Sequence, residues 1–511
     1  MNKTIFKLAL KNLFSHKTKT LIIMILIGLG SFLVVLGLGV LNFAERQTKN
    51  VCESDFCGDI FITGQSAEKD VSVTFTGAFK NTANTGKLPS MPYLSKIDKI
   101  TAKLDALPET AQYTRGIVTG YGMMRPADLA DSWEPKGENY VYMPYSVTIG
   151  VEPSSYKKTF DTVKIYEGEF PDSDSAEFIL VPQKIKEKYE KYYERELHTG
   201  DEVVVMCFGE KAKLRKVTVK GFFTFAHPDT AIQTVVYTDI NSARMLAGVT
   251  MGARTVTEIP KSIDLSLSEK SEDELFSDDG AGVTEQVGYI SANNASAADV
   301  NNLLGSTELR NQLNMADTDA WHFTAVKLKN SSKTAQTIAA LNKWFNEEGL
   351  VAQALPWDKA MLQYAGAIQV TQRMMIVVLV LLAVVVLIVI MNTLVVSIME
   401  RTAEIGTMRA IGAKRSFVQR LFYTESFLLS CIGAVCGIVL AVIIGLTFNA
   451  LGIRFSNETL AIMFGGYKIQ TAISVGAVLS TLGAMIAAGV VANWYPVGLA
   501  LKISPLEAIN K

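Results

Sequence analysis

The chain is 511 residues long and carries 49 basic and 50 acidic side chains, for a formal net charge of −1. So even a balance offers no basic field to nucleic acid, and no nucleic-acid partner is expected. Its four histidines, His16, His198, His227 and His322, are scattered and no C-x-x-C occurs, so no metal site is expected either.

Residues 1–20 are basic: Lys3, Lys7, Lys11, Lys17 and Lys19 stand there without an acidic residue. By the positive-inside rule this end is cytoplasmic. Lys3, Lys7 and Lys11 share one helical face, and Ile5, Phe6, Ala9 and Leu13 roughly the opposite one. That pattern predicts an amphipathic helix in the cytoplasmic membrane interface, its lysines near anionic lipid headgroups. Residues 21–41 follow without a single Asp, Glu, Lys or Arg, as do residues 374–399, 426–448 and 471–493. A hydrocarbon core of ~30 Å needs about 20 helical residues, so all four runs are long enough to span it. The first exceeds a signal-peptide core, and Leu41-Asn42-Phe43-Ala44 offers no small-x-small cleavage site, so it reads as an uncleaved anchor. Four spans return the tail, residues 494–511, to the cytoplasm.

Between the first two spans, residues 42–370 have mixed composition and form an extracytoplasmic α+β domain with a core of its own, in one or two subdomains. Alternation predicts strands at 71–75, 203–207, 217–223 and 235–237, the middle two placed to form a hairpin. Helical periodicity covers 183–197, 335–347 and 359–373, and the last is expected to run unbroken into the second span as a stalk. Residues 262–285, acidic and poor in aromatics, read as a mobile loop, and the Gly, Thr, Asn and Pro-rich residues 77–92 as another. Cys52 and Cys57 lie five apart just past the first span. In an oxidising compartment they either close a small disulfide loop or are held apart by a strand.

Small residues recur every fourth position in the third span, at Gly433, Gly437, Ala441 and Gly445, and in the fourth, at Ala472, Gly476, Ser480 and Ala484. Such stripes let helices approach closely where lipid removes the hydrophobic drive, within the chain or with a second copy. No span carries an ionisable residue, which argues against an ion-coupled transporter.

The connector, residues 400–425, holds Arg401, Arg409, Lys414, Arg415 and Arg420 and is therefore cytoplasmic. Glu400 and Glu404 suit the positive end of a short helix and Arg409 the negative end. Gly412 reads as its C-cap, and Ser416 to Gln419 as an S-x-x-Q capping box opening the next helix. Ile405, Met408 and Ile411 make an apolar face, available to a partner or to the chain's own bundle.

The run Met399-Glu400-Arg401-Thr402-Ala403-Glu404-Ile405-Gly406-Thr407-Met408-Arg409-Ala410-Ile411-Gly412-Ala413 is similar to the E-R-x-x-E-I-G-x-x-R-A-x-G-A pattern of the FtsX, MacB and LolC/LolE permeases of ABC transporters. Pro496 with Ile503-Ser504-Pro505-Leu506-Glu507-Ala508-Ile509 resembles the same family's close. Gly168-Glu169-Phe170, Gly200-Asp201-Glu202-Val203 and Val235-Val236-Tyr237 resemble the MacB-type periplasmic core. The resemblance implies a permease subunit in a bacterial inner membrane, paired with a second copy or a paralogue. Arg401, Glu404, Ile405, Met408, Arg409, Gly412 and Ala413 would dock a cytoplasmic ATPase subunit that binds ATP and Mg, with no cofactor on this chain. The work done would be lipoprotein release or envelope export. The alternatives are MacB-like peptide or drug efflux and an FtsX-like scaffold that activates cell-wall hydrolases. No G-x-x-x-x-G-K-[ST] is present, so the ATPase is expected on another polypeptide. For an anchored enzyme only His227-Pro228-Asp229 speaks.

Overall fold

The computed structural model describes residues 3–15, 17–66, 71–80, 91–94, 96–129, 134–135, 137–174, 176–208, 213–227, 232–249, 316–494 and 496–498. Residues 262–285, Pro228, Asp229 and the Ile503 to Ile509 motif lie outside them. Two compact units emerge: Met1–Cys52, His227–Ile232 and Met361–Lys511 form one, Glu53–Ala226 and Gln233–Ala360 the other.

The first unit opens with α1 (Lys3–Ser15) and α2 (Lys17–Val51), the latter containing the first apolar run. Cys52–Phe56 continues as a π turn. Of the two alternatives for Cys52 and Cys57 the structure has the unbonded one: both are free thiols and fully buried. Burial above all, with the Glu53 carboxylate next, pushes the Cys57 thiol far above its usual range, so its uncharged form is favoured and the thiolate that disulfide chemistry needs is suppressed.

The second unit is α+β. Its elements are β1 (Ile60–Gly64), β2 (Val71–Thr74), β3 (Gly77–Lys80), α3 (Ile97–Ala106), β4 (Thr110–Pro126), β5 (Tyr145–Val151), α4 (Pro153–Thr159), β6 (Val163–Gly168), β7 (Ile179–Pro182), α5 (Gln183–Tyr193), β8 (Glu202–Cys207), β9 (Lys213–Phe225), β10 (Val235–Asp239), α6 (Ile240–Ala247), β11 (Phe323–Leu328), α7 (Thr334–Glu347), β12 (Ala352–Leu355) and α8 (Trp357–Ala360). The strands β12-β1-β11-β4 lie side by side and antiparallel. With α3 after β1 and α7 after β11, that is a split βαββαβ motif of the ferredoxin-like order. Its core packs Ile60 and Ile62 of β1 against Ile97, Ile100 and Leu104 of α3 and Leu341 and Phe345 of α7.

Everything from β5 to β10 is inserted between β4 and β11. The inserted strands pair in a closed circuit, β4-β5-β10-β7-β9-β8 and back to β4. One long strand makes this workable, because β4 pairs with β11 through Gly116, with β5 up to Met123, and with β8 from Gly122 onward. Register shifts between Val118 and Tyr121, where Gly120 takes φ +83°, a conformation only glycine adopts at no cost. A second core fills the insertion: Ile179, Val181, Val203, Val205, Val217, Val219 and Phe222 with Ile185, Tyr189 and Tyr193 of α5. The hairpin β8–β9 matches the alternating stretches in the sequence. In contrast, Gly77 to Lys80, read as loop, is a strand paired with β2.

The first unit resumes with α9 (Leu362–Glu400), α10 (Thr402–Ala410), α11 (Arg415–Leu451), α12 (Glu458–Met463) and α13 (Val475–Ala492). Four helices, within Thr20–Phe56, Leu362–Val396, Arg415–Leu451 and Val475–Gly498, are long and apolar enough to cross a membrane. The helix expected from residue 359 into the second span is broken at Met361. The Ala360 carbonyl accepts from the Phe75 amide at 2.7 Å and so is withheld from the helix, while Tyr364 N–H turns to the Met361 carbonyl instead. The fourth begins at Val475 under a Ser474 cap, four residues later than the apolar run.

Candidate functional site

The connector is a nine-residue helix, α10, held between two long ones. Glu404 lies in its first turn and Arg409 in its last, as the helix dipole favours. It ends in a Schellman motif: Gly412 N–H bonds the Arg409 carbonyl at 3.1 Å and Ala413 N–H the Met408 carbonyl at 3.0 Å. Gly412 sits at φ +106° with open space where a Cβ would stand, so the demand for glycine there is conformational. The S-x-x-Q capping box does not form. Lys414 is the N-cap of α11, and its carbonyl takes the Phe417 and Val418 N–H groups, which places Ser416 inside the first turn.

The predicted apolar face divides in two. Ile405, only 2% exposed, packs with Val418, Phe422 and Val497, and Met408 lies against the same cluster. Ile411 does the opposite and is 85% exposed. Around it Glu404, Thr407, Ala410, Gly412, Lys414 and Arg415 are exposed, Arg409 and Ala413 half-buried. The outward surface is thus one large aliphatic side chain ringed by small and charged groups.

Arg401 belongs to the inside. Its guanidinium meets Glu425 at 3.1 Å and Glu404 at 3.2 Å and lies 5.5 Å from the centre of the Phe422 ring. Arg401 and Glu425 are 8% and 7% exposed. The other Glu425 oxygen accepts from Asn12 Nδ2 at 2.6 Å, and Asn493 Nδ2 donates to the Phe422 carbonyl at 2.9 Å. Asn493 is an intramembrane amide that backbone or a neighbouring helix can satisfy, and its Nδ2 is satisfied in that way, whereas the sequence gives no sign of Asn12's role. Asn12 is an uncharged amide in an otherwise apolar or basic segment, and nothing local links it to a carboxylate 413 residues away.

In α1, Ile5, Ala9 and Leu13 pack into the helix bundle, while Phe6, Lys7, Leu8, Leu10 and Lys11 face outward. The predicted apolar stripe therefore meets protein in place of lipid, Phe6 excepted.

Of the small-residue stripes, the third helix's is an internal contact. A Cβ on Gly437 would strike the Gly28 carbonyl and the Ser31 hydroxyl, and one on Gly433 would lie 3.0 Å from the Met24 carbonyl and Ile27. Ser31 Oγ, so admitted, donates to the Ala434 carbonyl at 3.2 Å. Ala441 is buried beside Val35 and Ile438, and Gly445 faces Thr471 and Ile473. In α13 the stripe is displaced by one residue: Gly476, Ser480 and Ala484 are exposed, while Ala477, Thr481, Met485 and Gly489 are buried. Gly489 is the position that admits a neighbour, since a Cβ there would strike Ser430. Among the described residues no group of three or more His, Cys, Asp or Glu is placed to hold a metal ion.

Comparison with known proteins bears on the same region. Residues 376–505 match the FtsX-like permease C-terminal family. The chain is 34% identical over 121 residues, 24% of its length, to the macrolide export ATP-binding/permease protein MacB of Campylobacter jejuni. To the MacB of Bdellovibrio bacteriovorus it is 35% identical over 120 residues, again 24% of the chain. A longer match, 27% identical over 191 residues and 37% of the chain, is to the pyoverdine export ATP-binding/permease protein PvdT of Pseudomonas putida. The chain spans 17%, 16% and 27% of the length of these relatives.

Proposed function

We propose, from the premise that the chain is an FtsX/MacB-type ABC transporter permease over residues 376–505, that its connector is the input through which a cytoplasmic ATPase drives the α+β unit on the far side of the membrane. ATP and Mg are held by that ATPase. The permease works beside a second copy or paralogue in a bacterial inner membrane, with both termini cytoplasmic, and its task is lipoprotein release or a related envelope export.

One observation carries this reading. Ile411 projects fully from a helix whose opposite side is fastened to the bundle by Ile405 and Met408. An exposed aliphatic side chain at the tip of a nine-residue helix, ringed by small and charged residues, has the form of an interface anchor. A helix fastened on its other side passes on a push with little loss, because packed interiors deform poorly. The basic residues Lys3, Lys7, Lys11, Arg401, Arg409, Lys414 and Arg415 support a cytoplasmic position for this tip. Export without a charged path through the spans suits a permease that moves an outer domain and carries nothing across.

The test is ATP hydrolysis by the partner ATPase in lipid nanodiscs, with and without the full-length chain. Ile411→Asp is expected to weaken docking about 30-fold, the loss of a ~2 kcal/mol anchor, and with it the stimulation of hydrolysis. Full stimulation by that variant would contradict the reading. Stimulation with a cell-wall hydrolase bound in place of a cargo would reassign the chain to the scaffold class.

A further inference from the structure

We propose that Glu425 is the positioning residue of the connector, a single buried carboxylate that sets the angle of α10 and the seat of α1 together. One of its oxygens holds the Arg401 guanidinium at 3.1 Å, at the hinge between α9 and α10. The other accepts from Asn12 of α1 at 2.6 Å. Arg401 reaches back from the same junction to Glu404 in the first turn of α10, so the carboxylate, the hinge and the connector helix form one chain of contacts. Phe422, one turn before Glu425, lies under the guanidinium and accepts from Asn493 at the end of α13 through its carbonyl. Four segments remote in sequence thus meet at one carboxylate and its neighbouring turn.

The chemistry says why a charge pair stands here. Burying an ion pair costs desolvation that its Coulomb attraction offsets only in part, and an apolar pair of similar volume would hold the helices at least as firmly. What an apolar pair would lack is direction. Ile405 with Val418 tolerates sliding and rolling; a carboxylate shared between a guanidinium and an amide is satisfied in one arrangement. Displacing α10 breaks the pair or drags α1 with it, so the connector has two distinct states in place of a continuum. That this arrangement serves transmission from an ATPase rests on the function proposed above; that it positions α10 and α1 does not.

Amide hydrogen exchange on the full-length chain in lipid nanodiscs, without any ATPase, tests the positioning. Glu425→Gln keeps the volume and removes the charge. It is expected to speed exchange about tenfold or more in residues 402–413 and 3–15 alike, with residues 475–492 changed less than about twofold. Arg401→Glu is expected to loosen 402–413 in the same way, and the exchanged pair Arg401→Glu with Glu425→Arg to slow it again. A residue that merely fills space would respond to neither change of charge. Unchanged exchange in both segments after Glu425→Gln overturns the proposal. So does acceleration spread equally over 475–492 that the exchanged pair fails to reverse.

Discussion

The two units of this chain differ in what fills their interiors. In the α+β unit large aromatic side chains fill the interior: Phe61 stacks on Phe323 at 5.2 Å and meets Phe75 edge-on at 6.1 Å, and Tyr156 meets Tyr237 at 4.9 Å. In the helical unit the closest approaches are made by the absence of side chains, at Gly28, Gly433, Gly437 and Gly489. The difference is one of solvent. Water rewards each square ångström of apolar area removed from it, so bulk stabilises the first unit. Lipid gives no such reward, so the second relies on backbone proximity and hydrogen bonds such as Ser31 to Ala434.

If this contrast is right, substitutions should fail in opposite directions. The largest effect is expected from Phe61→Ala. Phe61 is fully buried, and truncation should cost about 3–5 kcal/mol in thermal unfolding of the α+β unit followed in nanodiscs. Retained stability would mean that the ring contacts contribute little.

The next effect is electrostatic. His322 is fully buried with Nδ1 3.1 Å from both the N–H and the carbonyl of Val118, and burial above all, with Arg244 nearby and against the Val118 hydrogen bond, lowers its pKa from 6.5 to about 4. The folded state keeps the ring neutral while the unfolded chain binds a proton below about 6.5. Stability is therefore present in full above that pH, falls as pH drops toward 4, and levels off below. The loss should approach about 3 kcal/mol and be absent from His322→Leu. Parallel pH profiles for the two proteins would remove His322 from the account.

Smaller still is the helical unit's answer. Gly437→Leu must displace α2 from its seat and should cost about 1–3 kcal/mol, whereas Ala484→Leu, at the same spacing on an exposed face, should stay within about 0.5 kcal/mol. Equal costs at the two positions would show that the α13 stripe meets a partner.

These same residues mark what could be read from the sequence. The four apolar runs, the β8–β9 hairpin and the glycine stop at Gly412 were legible, because each follows from local periodicity or a local conformational demand. The strand β1 was not. Ile60, Phe61 and Ile62 are buried on both faces of the sheet, so no polar alternation betrays them. Its partners, β11 and β12, are remote in sequence, and the long insertion after β4 hides the βαββαβ order. At the connector, spacing identified Ile405, Met408 and Ile411 as one face but did not say which would be covered. That the α13 stripe faces outward within this chain could not be read for a related reason: small residues show where a close approach is possible, and only the neighbour, here Ser430 against Gly489, shows where one happens inside the chain. The motif resemblance puts Arg401 in the docking set, and nothing local shows its inward turn, because its partner Glu425 belongs to another helix.

The central claim is that force enters at the connector's exposed tip. It is tested most directly by a photo-crosslinking residue at position 411 of the full-length chain in intact membranes, with position 480 as the control on another exposed helix face. The account predicts a nucleotide-dependent crosslink from 411 to an ATP-hydrolysing subunit and none from 480. Crosslinks from 411 to lipid or to extracytoplasmic proteins alone would contradict it.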